Sequence, residues 1–146
     1  MRAEPSVAEN ILVDAGPLVA WLNRKDGYHG WAREQFARLR PPLLTCEPVL
    51  TEVAFLLEAA GLDAAVVPEL ITRSILDVSF SLEDEAATIS GLMRRYRNVP
   101  MSLADACLVR LSEVRQHSRI FTLDSDFRIY RRHGRLVIPT LMPAGI

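Results

Sequence analysis

Cysteine and histidine are scarce in this chain of 146 residues, with 2 and 3 respectively. Cys46 and Cys107 lie in separate segments at no metal-binding spacing, and they read as small buried hydrophobes. His29, His117 and His133 are scattered and unpaired with either cysteine, which argues against a zinc site. No apolar run approaches the roughly 20 residues of a membrane span. Residues 1–10 hold Glu4, Pro5 and Glu9 where a signal peptide would have a basic start and an apolar core. The expected location is therefore cytoplasmic, with no membrane partner. Internal repeats, low-complexity tracts and linkers are also missing. The length suits a single domain, with residues 1–9 expected as a loosely ordered extension.

Lysine is nearly absent as well: of 17 basic residues, all but Lys25 are arginine. A net charge of −1 with 24% charged residues is ordinary for a globular protein and at first argues against a nucleic-acid partner. The distribution is uneven, however. Residues 1–93 hold 7 basic against 14 acidic side chains, and residues 94–135 hold 10 against 4. Arginine suits bidentate phosphate contact, so the second stretch is a candidate nucleic-acid surface; its plain alternative is solvated surface charge.

What the chain does have is a repeated pairing of apolar strand and acidic end. Ile11-Leu12-Val13 lacks polar alternation, as a parallel strand covered on both faces does, and runs into Asp14. Gly16 breaks the run and Pro17 suits the first turn of the helix that follows. Helices are expected over residues 32–40, 49–60, 64–76, 82–96 and 103–113, with Ser81 and Ser102 as caps and Gly61 as a helix stop. Short strands are expected at 43–46, 78–80 and 136–138. Residues 119–124 repeat the opening pattern, an apolar strand ending in Asp124. Alternation of strands and helices at this spacing means a parallel α/β sheet.

Four carboxylates call for explanation. Asp14 and Asp124 end strands, Asp105 starts a helix, and Glu52 lies against an apolar stripe in the first turns of its helix. Each has a plain account: Asp14 as a helix cap, Asp105 completing a capping box with Ser102, Asp124 opening a turn, Glu52 half-exposed at the core edge. Jointly they mean more. In a parallel sheet the carboxyl ends of strands and the amino ends of the next helices share one edge, so Asp14, Asp105, Asp124 and Asp126 gather there with Glu52 nearby. Such charges repel unless a cation sits among them. Oxygen ligands alone favour a hard ion, Mg²⁺ or Mn²⁺, and such ions serve phosphoryl chemistry with water as the nucleophile.

The segments around these residues are Val13-Asp14-Ala15-Gly16-Pro17-Leu18, Pro48-Val49-Leu50-Thr51-Glu52-Val53, Met101-Ser102-Leu103-Ala104-Asp105-Ala106 and Thr122-Leu123-Asp124-Ser125-Asp126-Phe127. They resemble the four acidic motifs of PIN-domain nucleases in order and spacing over about residues 10–140. The chain is especially similar to VapC-type toxins of bacterial toxin–antitoxin systems. The resemblance implies a three-layer α/β/α fold with a central parallel sheet of about five strands, a homodimer, and Mg²⁺- or Mn²⁺-dependent endoribonuclease activity on an RNA substrate. It implies that Asp14, Glu52, Asp105 and Asp124 hold metal, with Asp126 a further ligand through water or at a second site. It also implies an antitoxin protein whose segment covers the groove. Many members carry Ser or Thr where this chain has Gly16.

Arg128, Arg131 and Arg132, just after the last acidic motif, are candidates for phosphate contacts. Three other readings stay open: a PIN nuclease that processes RNA without an antitoxin, a PIN scaffold without catalysis, and a phosphotransfer domain with Asp14 as covalent nucleophile. The last expects an Asp-x-Asp that Gly16 interrupts and a downstream lysine, whereas the only lysine is Lys25.

Overall fold

The structure, a computed structural model, describes residues 8–146. The expected N-terminal extension thus falls, over residues 1–7, outside the described residues. The chain order is β1 (Asn10–Val13), α1 (Ala15–Leu22), α2 (His29–Arg38), β2 (Leu43–Leu44), α3 (Glu47–Ala59), α4 (Val66–Thr72) and β3 (Leu76–Asp77). Then follow α5 (Leu82–Arg95), α6 (Leu103–Val114), β4 (Ser118–Phe121), a 3-10 turn (Ser125–Arg128), β5 (Arg131–Arg132), β6 (Leu136–Val137) and β7 (Thr140–Leu141).

Five strands make one parallel sheet in the order β3-β2-β1-β4-β7. Its centre is the pair with the most complete register, Asn10 through Val13 opposite Ser118 through Phe121. Leu12, Val13, Ile120 and Phe121 are wholly buried, which is why their sequence shows no polar alternation. From β1 the chain steps outward to β2 and β3, then returns across β1 to β4 and β7. Right-handed crossovers then lay α1 to α4 on one face and α5 and α6 on the other, the three layers of an α/β/α fold. Trp31 and Phe36 of α2 pack on Phe121 with ring centroids 5.5 and 5.2 Å away, closing the first face. The order reverses between β1 and β4, and in such sheets the ligand crevice opens at the carboxyl ends of those two strands.

Three expectations about local structure are corrected. Residues 136–138 are not the last strand of the parallel sheet: Leu136 and Val137 pair antiparallel with Arg132 and Arg131 in a separate ribbon, and stand 47% and 67% exposed. The fifth parallel strand is β7, set by Ile120 opposite Thr140 and Phe121 opposite Leu141. The helix expected over 64–76 is only Val66–Thr72, because the chain turns left-handed at Ser74 (φ 59°). That early stop lets Ile75 and Asp77 carbonyls accept from the amides of Leu43 and Thr45, so the strand is Leu76–Asp77 and residues 78–80 lie beyond it. The stop after α3 is the expected one, with Gly61 at φ 75° just past the helix end.

Candidate active site

Asp14 follows β1 and is the N-cap of α1, which begins at Ala15, two residues earlier than Pro17 suggests. Its amide donates to the Phe121 carbonyl (2.9 Å), extending the β1–β4 ladder and bringing Asp14 beside Thr122. Both carboxylate oxygens are held: Oδ1 accepts from the Ala15 amide at 2.8 Å and Oδ2 from the Thr122 hydroxyl at 2.7 Å. Thr122 Oγ1 also accepts from the Asp124 amide at 2.9 Å, so one buried hydroxyl ties the ends of β1 and β4 together.

Asp105 sits in the first turn of α6. The capping box with Ser102 is present: Ser102 Oγ accepts from the Asp105 amide at 3.0 Å, and Asp105 Oδ2 receives the Ser102 amide at 3.4 Å. Oδ2 also accepts from the Tyr130 hydroxyl at 2.9 Å. The plain reading and the joint one therefore both hold for this residue; a cap needs no second, buried donor. Asp124 caps the 3-10 turn, its Oδ1 accepting from the Asp126 amide at 2.9 Å. Glu52 projects from α3 as an exposed side chain.

All five acids predicted from the sequence, Asp14, Glu52, Asp105, Asp124 and Asp126, line one cavity of about 680 Å³ with Ala15, Gly16, Pro100, Ser102, Leu123 and Ser125. Among the described residues no basic side chain lines it. Burial, above all, raises the Asp14 carboxyl to about 6, against the lowering bonds from Thr122 and Ala15 and with added repulsion from Asp105 and Glu52. Burial and then Asp105 and Asp124 raise Glu52; Asp105 is raised by burial, opposed by Tyr130 and Ser102, and raised further by Asp124. The Tyr130 phenol is itself raised, by burial and by the Asp105 charge it faces. The cavity thus holds uncompensated negative charge on hard oxygen donors, the chemistry that suits Mg²⁺ or Mn²⁺. Among the described residues no three of these side chains converge as a closed ligand set. Mg²⁺ does not require one, since it keeps several waters and takes one or two carboxylates directly.

Sequence reasoning missed Thr122 and Tyr130. Thr122 lies inside the last acidic motif, but its role depends on the strand register. Tyr130 is wholly buried, its ring edge-on to Phe127 (5.3 Å) and Tyr96 (5.1 Å), and nothing in the local sequence marks it. The three candidate arginines lie apart from the cavity wall. Arg128 is exposed and donates to the Ile146 carbonyl. Arg131 Nη1 donates to the carbonyls of Arg128, Ile129 and Tyr130, and Arg132 Nη2 to the carbonyl and hydroxyl of Ser118.

No protein-family model matches the chain, and no curated protein matches it by sequence. Among solved structures it is similar to VapC20 of Mycobacterium tuberculosis, a sarcin-ricin loop cleaving toxin, with a TM-score of 0.73 and 25% sequence identity over 89% of this chain and all of that one. The chain thus has a PIN-like α/β/α fold and is similar, over most of its length, to a VapC toxin.

Proposed function

We propose that this chain is a metal-dependent endoribonuclease that hydrolyses RNA phosphodiester bonds with water, and that it is the toxin of a toxin–antitoxin pair built as a single homodimerising domain. One observation carries the reading: five carboxylates line one cavity at the reversal of strand order, with no basic side chain among the described residues that line it. The likeness to VapC20 supports it.

In this reading Asp14, Glu52, Asp105 and Asp124 hold Mg²⁺ or Mn²⁺, with Asp126 as a further ligand. The ion, when bound, supplies the positive charge that polarises the phosphodiester and acidifies water. The protein's own part is positioning. The Ala15 amide and Thr122 hydroxyl fix both oxygens of Asp14, the Asp126 amide fixes Oδ1 of Asp124, and Tyr130 fixes Oδ2 of Asp105. Glu52, on an exposed rotatable stem, can turn toward an ion in the cavity. Exposed Arg128, two residues from Asp126, is the best placed of the three arginines to meet the RNA backbone. Phe55 at 69% exposure and Leu62 at 38% offer apolar surface of the kind a partner copy or antitoxin would cover.

The test is cleavage of a panel of structured and single-stranded RNAs with Mg²⁺, with Mn²⁺ and with chelator, beside Asp14→Asn. Cleavage that requires both the ion and Asp14 is expected. If calorimetry detects no ion binding and no RNA is cut, the enzyme reading fails in favour of a PIN scaffold.

A further inference from the structure

A second cavity, of about 580 Å³, is lined by Trp21, Leu22, Arg24, His29 and Arg33. It lies at the far end of α1 from Asp14, about 12 Å away along a helix of eight residues. Its parts are an indole plane, two guanidinium groups and an imidazole. Phe36 stacks on one face of Trp21, with centroids 4.2 Å apart and planes at 15°, which holds the indole in place. His29 Nδ1 is 2.8 Å from the Ala20 carbonyl; a carbonyl only accepts, so Nδ1 donates. Among the described residues neither Arg24 nor Arg33 belongs to an ion pair. An adjoining cavity of about 330 Å³ shares Leu22 and Arg24 and adds Lys25. The acid on the same loop, Asp26, is engaged through Oδ1 by the Tyr28 amide at 2.8 Å. Two guanidinium groups beside an aromatic plane, with Lys25 in the adjoining cavity, are unexpected in residues 1–93, where acids outnumber bases 14 to 7.

We propose that this cavity is a second RNA subsite that takes one nucleotide of a single strand, its base against Trp21 and its phosphate on Arg24 and Arg33. The proposal rests on the ribonuclease reading above. The volume suits a nucleotide. An aromatic plane with flanking arginines is how proteins hold unstacked bases and their phosphates. An acidic protein segment would use the cations but has no need of the indole, and this favours RNA. The length of α1 separates the two cavities by about 12 Å, a span of a few nucleotides, so the subsite would select single-stranded substrate and set its polarity.

The experiment titrates labelled single-stranded RNA into Asp14→Asn protein over a salt series, alone and with Arg24→Gln/Arg33→Gln. The double variant is expected to bind about tenfold more weakly or worse, with a log–log salt slope shallower by about 0.7, the share of the one phosphate no longer neutralised. RNA is also expected to quench tryptophan fluorescence in Trp31→Phe but not in Trp21→Phe. If the double variant keeps full affinity and slope while wild-type protein cuts RNA, the subsite falls and the nuclease stands. If wild-type protein neither cuts nor binds RNA, both fall. If the double variant loses a polyglutamate peptide but not RNA, the site belongs to an acidic protein segment and the proposal is overturned. Should Trp21→Phe unfold, the exposed arginines still decide.

Discussion

The carboxylate cavity and the arginine-rich carboxy-terminal ribbon carry opposite charge, but the more telling difference is what each charge touches. Around the cavity, amides and hydroxyls hold the acids in place and, among the described residues, no basic side chain lines it. Around the ribbon, arginines end on carbonyls and carboxylates of the protein itself. Arg110 of α6 bridges Glu85 at 2.6 Å and Glu113 at 3.2 Å, Glu113 accepts from the His133 amide, and Arg95 donates to the Gly134 carbonyl at 2.7 Å. A charge that the fold has already satisfied serves stability, whereas a set that the fold orients and leaves unsatisfied is available to a ligand. The basic stretch that the sequence offers as a nucleic-acid surface is therefore, in large part, the fastening of α5, α6 and the ribbon.

Breaking the cavity should give the largest effect. Asp105→Asn is expected to lower metal-dependent RNA cleavage by at least about a hundredfold, measured under single-turnover conditions, since it removes a charged ligand. Unfolding in chelator should show metal-free stability unchanged or higher: the amide oxygen can still accept from Tyr130, the bond to the Ser102 amide is already long, and a repelling charge is gone. A loss of about 2 kcal/mol or more, on the scale of a broken cap, would place Asp105 with the structural charges of the ribbon.

Arg110→Ala is the converse. It leaves Glu113, whose side chain is 6% exposed, without its ion-pair partner and should cost about 3 kcal/mol in chemical denaturation. RNA cleavage per folded molecule should be unchanged. A comparable loss of activity at full stability would erase the distinction between the two regions.

The uncompensated charge also predicts a pH dependence. Asp14 is raised from 3.8 to about 6 on folding, so between these values the native state binds more protons than the unfolded chain, and stability falls as pH rises through that window. Above it the ionised carboxyl costs the metal-free protein on the order of 3 kcal/mol, with Glu52 and Asp105 adding in the same direction. Metal-free protein should therefore melt higher at about pH 5 than at about pH 7.5. Added Mg²⁺ should reverse the order, because it competes with protons for the same oxygens. A flat profile in chelator would mean that Asp14 is better solvated than its burial implies.

Much of this was legible in the sequence because it depends on local pattern. Ile11-Leu12-Val13 reads as a doubly covered strand, and acids at strand ends and helix starts fall on one edge of any parallel sheet. Cys46 and Cys107 are buried, as their isolated positions suggested. What escaped depends on register between distant segments. Thr122→Val tests such a residue. It removes the donor to Asp14 Oδ2 and the acceptor of the Asp124 amide at once, and should cost about 1–2 kcal/mol in stability and about tenfold in cleavage. The ribbon escaped for a related reason: Leu136-Val137-Ile138 reads as a buried strand, but only Ile138 is buried, at 2% exposure, because Arg131 and Arg132 claim the other two as antiparallel partners.

Gly16 offers the smallest and most local change. A Cβ built there would stand 3.2 Å from Leu123 Cβ and Cδ1, closer than an undisturbed contact allows, and Leu123 immediately precedes Asp124. The missing side chain lets the start of α1 pack closely against Leu123 at the end of β4. Gly16→Ser gains roughly 0.5 kcal/mol of helix propensity, and pushing Leu123 aside costs about 1 kcal/mol. The net loss should stay under about 1 kcal/mol by denaturation. The displaced Leu123 moves Asp124 with it, so metal affinity measured by calorimetry should fall more than stability does. Equal or tighter metal binding would mean that the cavity gains more from a hydroxyl at this position than it loses from the shift, and that its carboxylates are less firmly oriented by the fold than their hydrogen bonds indicate.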